Sequence, residues 1–157
     1  MTIVTHNVGD SDARVVPLPT TAGVYDASTW PDIFVLQELR SQGHLLALRR
    51  AFAKRGSPDY SYAVSRTMGI GILAAGTIGP VHELLVPPAR GSGGYGAFGA
   101  TVTTAGGAVD AVGVHLAPVR KTRRQSGYSA AWGLLVQLVE EVTAGTPRSR
   151  AVAGIVD

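Results

Sequence analysis

The sequence predicts an α/β (α+β) fold in which β-strands are flanked by helices. Three observations predict it. Residues 31–38 form an apolar, β-branched run behind a Pro-Asp turn signal, which is typical of a fully buried strand. Residues 41–54 have the apolar spacing of an amphipathic helix, and residues 60–114 contain several short β-like runs separated by turn residues. With 157 residues, the chain is long enough for one domain with a real core.

The composition excludes several classes of protein. Hydrophobic residues make up 45% of the chain and charged residues 16%, which is unlike a disordered tail or a coiled coil. There is no apolar run of about 18 residues to span a membrane and no signal-peptide pattern. The absence of cysteine excludes disulfides and thiolate metal sites, and we expect a cytoplasmic protein. The net charge of +3 suits an anionic partner weakly.

The first half of the chain is expected to form strands around one helix. Its expected elements are a strand at 2–5, a long loop at 9–31, a strand at 31–38, a helix from 41 to about 54, and strands at 60–65 and 69–74. Ser41 is a suitable N-cap for the helix. Leu45, Leu48 and Phe52 recur at the spacing of one buried helix face.

The second half is expected to continue with strands before a long helix. Its expected elements are strands at 81–86, 97–103 and 108–114, a helix at about 125–144 and a last strand from 151. Residues 104–107 (Thr-Ala-Gly-Gly) are a hairpin turn signal. Residues 91–96 (Gly-Ser-Gly-Gly-Tyr-Gly) formally match a dinucleotide-binding pattern, but no helix opens after them, and we interpret them as a flexible loop.

Four predicted strands end in groups able to hold a metal ion or a phosphate: Asn7, Glu38, His115 and Asp157. In α/β sheets ligands gather beyond the carboxyl ends of the strands, so we expect these groups at one rim. Glu38 is a candidate magnesium ligand because this ion prefers carboxylate oxygen. The alternative is an exposed glutamate just past a strand end. His115 can donate a hydrogen bond to a phosphoryl oxygen or transfer a proton.

Four pieces of sequence carry a family resemblance: residues 5–7 (Thr-His-Asn), 32–38 (Asp-Ile-Phe-Val-Leu-Gln-Glu), 69–73 (Gly-Ile-Gly-Ile-Leu) and 112–116 (Val-Gly-Val-His-Leu). In this order they resemble the endonuclease/exonuclease/phosphatase family, of which deoxyribonuclease I is one member. The resemblance implies one domain over residues 1–157, an incomplete four-layer α/β sandwich of the deoxyribonuclease I-like type with mixed β-sheets and flanking helices.

The resemblance also implies an activity, which is hydrolysis of phosphate esters dependent on Mg²⁺ or Mn²⁺. A nuclease is favoured over a lipid or sugar phosphatase. Glu38 would ligate the metal, Asn7 would lie beside it, and His115 would lie at the scissile phosphate. Nucleic acid is thus a candidate partner, and no membrane partner is expected.

The C-terminal residues depart from the family pattern. The family usually has Gly-Asp-x-Asn where residues 154–157 read Gly-Ile-Val-Asp. Ile155 replaces the acid that orients or deprotonates the attacking water, and isoleucine can neither accept a proton nor bind a cation. Asp157 stands at the Asn position and is a candidate metal ligand. The family's later Asp-His pair has no counterpart. Loss of a general base costs about 10²–10⁴-fold in rate, so we expect this chain to be nearly or wholly inactive as a hydrolase.

Two further expectations concern partners. Arg120 and Arg123 belong to a basic cluster after His115 that can steer a phosphate backbone, although a solvated helix start is the alternative. The truncated fold would leave part of a sheet face uncovered, which predicts poor solubility or self-association.

The second functional hypothesis is a non-catalytic remnant or binding module that retains the half-fold and an anion-attracting rim.

Overall fold

The computed structural model describes residues 1–8, 30–65, 67–86, 95–115 and 150–155. Within these residues the elements in chain order are β1 (Ile3–Asn7), β2 (Ile33–Gln37), α1 (Gln42–Ala53), β3 (Ser61–Val64), β4 (Gly71–Ala74), β5 (Gly76–Val86), β6 (Tyr95–Thr104), β7 (Gly107–His115) and β8 (Arg150–Ile155). The predicted loop at 9–31 falls mostly outside the described residues, and the predicted helix at 125–144 falls wholly outside them.

The strands form two mixed sheets. The first sheet has the order β1-β2-β4-β3 and the second has the order β5-β6-β7-β8. β1 runs parallel to β2, and β7 runs parallel to β8, whereas the other neighbours are antiparallel. This arrangement has the predicted α/β (α+β) class, with both kinds of strand pairing in each sheet.

β2 is buried on both faces, as its apolar run predicted. Alternate side chains point to opposite faces of a strand, so Ile33 and Val35 join one core and Phe34 and Leu36 join another. The inner core fills the space between the two sheets and contains Ile33, Val35, Ile70, Ile72, Phe98, Val102 and Val109. The outer core packs α1 against the first sheet and contains Phe34, Leu36, Leu45, Leu48, Phe52, Tyr60 and Leu73.

The predicted helix is confirmed together with its cap. The hydroxyl of Ser41 accepts a hydrogen bond from the backbone N–H of His44 at 3.2 Å, which satisfies one of the unpaired donors of the first turn. Phe52 from the buried face stacks on Phe34 with 5.0 Å between ring centroids. α1 therefore packs against β2, the strand that Glu38 directly follows.

One predicted strand boundary was wrong. β5 begins at Gly76 instead of residue 81, whereas β1 extends past its apolar run to end at Asn7, as the sequence predicted. The register of β5 with β6 shifts between Ile78 and Val81, a segment that contains Pro80. Proline cannot donate a ladder hydrogen bond, but an edge strand tolerates it at a bulge. The sequence pattern therefore indicated a break where the strand only bends.

The predicted hairpin at residues 104–107 is confirmed, because β6 and β7 pair up to Thr104 and Gly107. β6 starts at Tyr95, within the predicted flexible loop, and residues 87–94 lie outside the described part of the chain. No helix among the described residues is long and apolar enough to cross a membrane. The large hydrophobic side chains exposed there are Met1, Tyr62 and Val81, on three separate segments, and self-association stays a prediction.

Candidate functional site at the carboxyl ends of β1, β2 and β7

Strand pairing places the ends of β1 and β2 side by side in one sheet and the ends of β7 and β8 side by side in the other. In the first sheet Asn7 lies in register with Gln37, and in the second sheet His115 lies in register with Ile155. The two sheets approach closely at Gly113, which has no side chain. A Cβ at this position would lie 2.8 Å from a methyl carbon of Val35 on the facing sheet. The turn that precedes β4 contacts both strand ends, because Gly69 bonds to Leu39 after β2 and Met68 bonds to His115 at the end of β7.

Asn7 and Glu38 are in direct contact at this rim. The Asn7 Nδ2 amide donates to Glu38 Oε1 at 2.8 Å. Glu38 is partly buried, so it is not the fully exposed glutamate of the alternative interpretation. An amide that donates to one carboxylate oxygen orients the other lone pairs of the carboxylate. The structure therefore brings together the amide and the acid that the sequence placed at separate strand ends.

The backbone of Glu38 is held in an unfavourable conformation. Its φ angle is +58°, and it is the non-glycine residue with positive φ in the described part of the chain. Such a conformation costs about 1–3 kcal/mol and persists only where neighbouring contacts impose it. On one side the Gln37 carbonyl accepts from the Val8 N–H at 3.0 Å, and on the other the Leu39 N–H donates to the Gly69 carbonyl at 2.7 Å. These bonds fix the backbone on both sides of Glu38, whose carboxylate contacts Asn7.

The turn before β4 also holds His115. His115 Nδ1 lies 3.2 Å from the Met68 carbonyl oxygen. A carbonyl can only accept, so Nδ1 carries a proton in this contact and the lone pair of the neutral ring lies on Nε2. Met68 is buried and packs against Gly96, where a Cβ would lie 2.8 Å from the Met68 sulfur.

The backbone next to Glu38, at Leu39, and the imidazole of His115 therefore contact adjacent residues, Gly69 and Met68. Sequence patterns did not indicate this turn as part of the site. The available signal was Gly69, a glycine before a strand, which adopts a φ of +62° here.

Gln37 is a polar residue whose place at the site the sequence patterns did not predict. It is 2% exposed, and its Nε2 donates to Thr5 Oγ1 at 2.8 Å. Its Oε1 has no hydrogen-bond partner among the described residues. Because Gln37 is in register with Asn7 on a parallel strand, both side chains lie on the same sheet face. An amide inside an otherwise apolar buried run was the available signal, since a buried polar group is costly without partners.

These residues fit a hard divalent cation. Within the described ranges no three His, Cys, Asp or Glu side chains come together, so the donors there are one carboxylate and neighbouring amide oxygens. Mg²⁺ is commonly bound through one or two carboxylates while it keeps several waters. The buried Oε1 of Gln37 has no partner among the described residues, and its side chain shares a sheet face with Asn7; this is the observation that favours a hydrated ion.

The other predicted site residues are placed incompletely. Asp157, Arg120 and Arg123 lie outside the described residues, and their roles stay predictions. The backbone of Ile155 is described and pairs with His115 at the end of β8. An aliphatic residue therefore occupies the strand end beside His115.

Burial also affects two histidines near the rim. It lowers the pKa of His6, which precedes Asn7 on β1. Burial lowers the pKa of His44 on α1 as well, and the positive charge of Arg40 adds to this effect. Both side chains are therefore stabilised as neutral imidazoles in the folded protein.

Comparison with known proteins defines the fold. No family model matches the sequence, and no curated protein matches it. Among solved structures, a 3'-5' exonuclease from Neisseria meningitidis superposes with a TM-score of 0.62 and 21% identity, over 99% of this chain and 57% of that one. An endonuclease/exonuclease/phosphatase family protein from Leptotrichia buccalis has a TM-score of 0.58 and 14% identity, over 82% and 55%. A beta toxin mutant from Staphylococcus aureus has a TM-score of 0.61 and 14% identity, over 98% and 65%.

The chain has the deoxyribonuclease I-like fold of endonuclease/exonuclease/phosphatase proteins, which confirms the predicted resemblance at the level of the fold. It spans between 55% and 65% of the lengths of these three proteins. A further match, at 22% identity, is a 3' phosphatase from Neisseria bound to a product DNA hairpin. At these identities the likeness establishes architecture, whereas activity has to be argued from the site.

Proposed function

We propose that the rim formed by Asn7, Glu38 and His115 is a divalent-cation-dependent phosphoesterase site, with a phosphodiester of nucleic acid as its substrate class. The observation that carries the proposal is the 2.8 Å bond from Asn7 to the carboxylate of Glu38, whose backbone is held in a strained conformation. Strain of this kind clusters at functional sites. The exonuclease and DNA-bound 3' phosphatase with the same fold support the choice of nucleic acid.

In this proposal Glu38 is the cation ligand and Asn7 is the residue that orients it. A bound Mg²⁺ or Mn²⁺ supplies Lewis-acid polarisation of a phosphoryl oxygen. Asn7 fixes the direction of the carboxylate before the ion arrives, because its Nδ2 occupies one lone pair of Oε1. Asp157 remains a proposed second oxygen ligand, and Arg120 and Arg123 remain proposed contacts to the phosphate backbone.

His115 is the proposed residue at the scissile phosphate. Its Nδ1 proton is engaged by the Met68 carbonyl, so Nε2 is the nitrogen that exchanges a proton with a phosphoryl oxygen or leaving group.

Ile155 limits what this site can catalyse. Ile155 pairs with His115 at the strand end, and its side chain cannot deprotonate water. Loss of a general base lowers the rate about 10²–10⁴-fold. We therefore propose weak or absent hydrolysis by these 157 residues alone. The same observation favours a second candidate function, a binding module that holds a cation and a phosphate without turnover.

Cation binding tests the proposal directly. We expect Mn²⁺ to bind the EDTA-treated protein in the micromolar-to-millimolar range, and Glu38→Gln to weaken binding at least about tenfold because it removes the charged ligand. Glu83→Gln is the matched control, since Glu83 is an exposed carboxylate on β5. Isothermal titration calorimetry and the enhancement of water relaxation by Mn²⁺ measure both variants. Equal affinities of Glu38→Gln and wild type would show that the rim is not a cation site.

A further inference from the structure

Gln37 is a buried amide whose carbonyl oxygen has no hydrogen-bond partner among the described residues. It occupies the last position of β2, where it is 2% exposed. Its Nε2 donates to Thr5 Oγ1 at 2.8 Å, whereas its Oε1 has no partner in the described part of the chain. Buried acceptors are nearly always paired with protein or with ordered water, so an unpaired one indicates a missing ligand or a stability cost retained for another reason.

The location of this amide points to the cation site. Gln37 is in register with Asn7 on neighbouring parallel strands, which lie about 4.8 Å apart. The Asn7 side chain on the same face is bonded to the Glu38 carboxylate. The Oε1 of Gln37 thus belongs to a side chain on the sheet face that carries Asn7, the residue that orients the proposed cation ligand from the neighbouring strand.

We infer that Gln37 is a further binding residue of this site and that its Oε1 accepts a hydrogen bond from a water in the hydration shell of the Glu38-bound cation. Mg²⁺ gives up its waters reluctantly, so a site with one described carboxylate must bind waters as well as the ion. A buried neutral oxygen suits this role because metal-bound water is a strong donor. The inference rests on the proposed function, since it assumes that Glu38 holds a cation.

The inference predicts that one substitution changes cation affinity much more than stability. Gln37→Leu keeps a similar side-chain volume and removes an acceptor that has no partner among the described residues. We expect little change in the cation-free melting temperature, because losing an unsatisfied buried acceptor offsets losing the hydrogen bond from Nε2 to Thr5. We expect the Kd for Mn²⁺ to increase about tenfold, because a water of the hydration shell loses its acceptor.

Gln42→Leu is the matched control, since Gln42 lies on α1 and its amide donates to the Tyr62 hydroxyl at 3.3 Å, away from the rim. We expect it to change neither the Kd for Mn²⁺ nor the sign of the cation-induced stabilisation. Unchanged Mn²⁺ affinity in Gln37→Leu, with affinity lost in Glu38→Gln, overturns the inference and leaves the proposed function standing. Unchanged affinity in both variants overturns both.

A second variant keeps the inference falsifiable if Gln37→Leu does not fold. Gln37→Glu places a carboxylate where the amide oxygen lies, which should lower the melting temperature in EDTA because a buried charge is unpaired. Added Mn²⁺ should then raise the melting temperature by more than it raises that of wild type. A Mn²⁺-induced shift equal to or smaller than that of wild type counts against Gln37 as a binding residue.

Discussion

The ends of the two sheets differ in the chemistry that they bring to the shared rim. At the β1–β2 end, an amide orients a carboxylate at 2.8 Å, and a buried acceptor lies on the same sheet face. At the β7–β8 end, His115 stands in register with Ile155. The first end has several polar groups whose geometry depends on one another. Among the described residues, the second end has the imidazole of His115 in register with an aliphatic residue.

This difference separates cation binding from proton transfer. Groups that hold a cation need oxygen atoms and a fixed geometry, and the β1–β2 end supplies both. Activation of water needs a base within hydrogen-bond reach of the nucleophile, and Ile155 supplies none. The contrast between the two ends predicts a protein in which binding is retained and turnover is impaired, and substitutions at each end can test it.

Restoring an acid at the β7–β8 end has the largest expected effect. Ile155→Asp should raise Mn²⁺-dependent hydrolysis of bis(p-nitrophenyl) phosphate about 10²-fold, because it returns a proton acceptor to the strand end beside His115. Ile155→Asn is the matched control, since its amide has a similar size but is not a base. The release of p-nitrophenolate measures the rate.

The gain should also depend on the other end of the rim. Combining Ile155→Asp with Glu38→Gln should remove this gain in rate, because Glu38 is the proposed ligand of a cation that would polarise the substrate. Equal rates for Ile155→Asp and Ile155→Asn would mean that the missing base is not what limits the β7–β8 end.

The connection between the two ends predicts an intermediate effect. Gly69 adopts a φ of +62°, and a Cβ there would lie 2.7 Å from the Leu39 carbonyl oxygen. Gly69→Ala should lower the free energy of unfolding by about 2–5 kcal/mol, since left-handed strain and overpacking add. It should also weaken Mn²⁺ binding, because the Leu39–Gly69 bond holds Glu38 in position.

Gly56→Ala separates the two causes. Gly56 has a φ of +84°, but a Cβ there would have no atom within 4 Å, so this variant should lose only the strain of about 1–2 kcal/mol. It should leave Mn²⁺ affinity unchanged. Urea denaturation and Mn²⁺ titration of both variants measure the difference, and equal losses of stability would argue that the turn is not packed against Leu39.

Local patterns in the sequence predicted the parts of the fold that depend on local interactions. The apolar run of β2, the Ser41 cap with its Leu45 and Leu48 face, and the hairpin turn all depend on residues close together in sequence. The β5 boundary was wrong because Pro80 is typical of a strand breaker, and its position at a bulge follows from pairing with β6.

The sequence predicted which residues follow the strand ends, but it did not predict the hydrogen bonds that connect them. The Asn7–Glu38 bond joins residues 31 positions apart, and the contact between His115 and Met68 joins residues 47 positions apart. No periodicity or turn signal encodes such contacts, because they arise only when the sheets are packed. The positive φ of Glu38 is likewise imposed by its partners, since glutamate has no intrinsic preference for that conformation.

The smallest expected effect concerns the helix that supports the Glu38 end. Burial lowers the pKa of His44, with a further contribution from Arg40, and burial also lowers the pKa of His6. As pH falls through the ordinary value of 6.5, the unfolded chain takes up protons before the folded chain does. Stability present above pH 6.5 is therefore lost as the pH falls below it, with a slope of at most about 1.4 kcal/mol per pH unit for the buried His44.

Melting temperatures measured between about pH 5 and pH 7.5 test this dependence. His44→Leu should flatten the loss below pH 6.5, because leucine fits the buried face of α1 and cannot be protonated. His6→Leu should flatten it further in the double variant. If the double variant keeps the full pH dependence of wild type, carboxylates cause the loss, and the two imidazoles are not the groups that link proton uptake to unfolding at this end of the molecule.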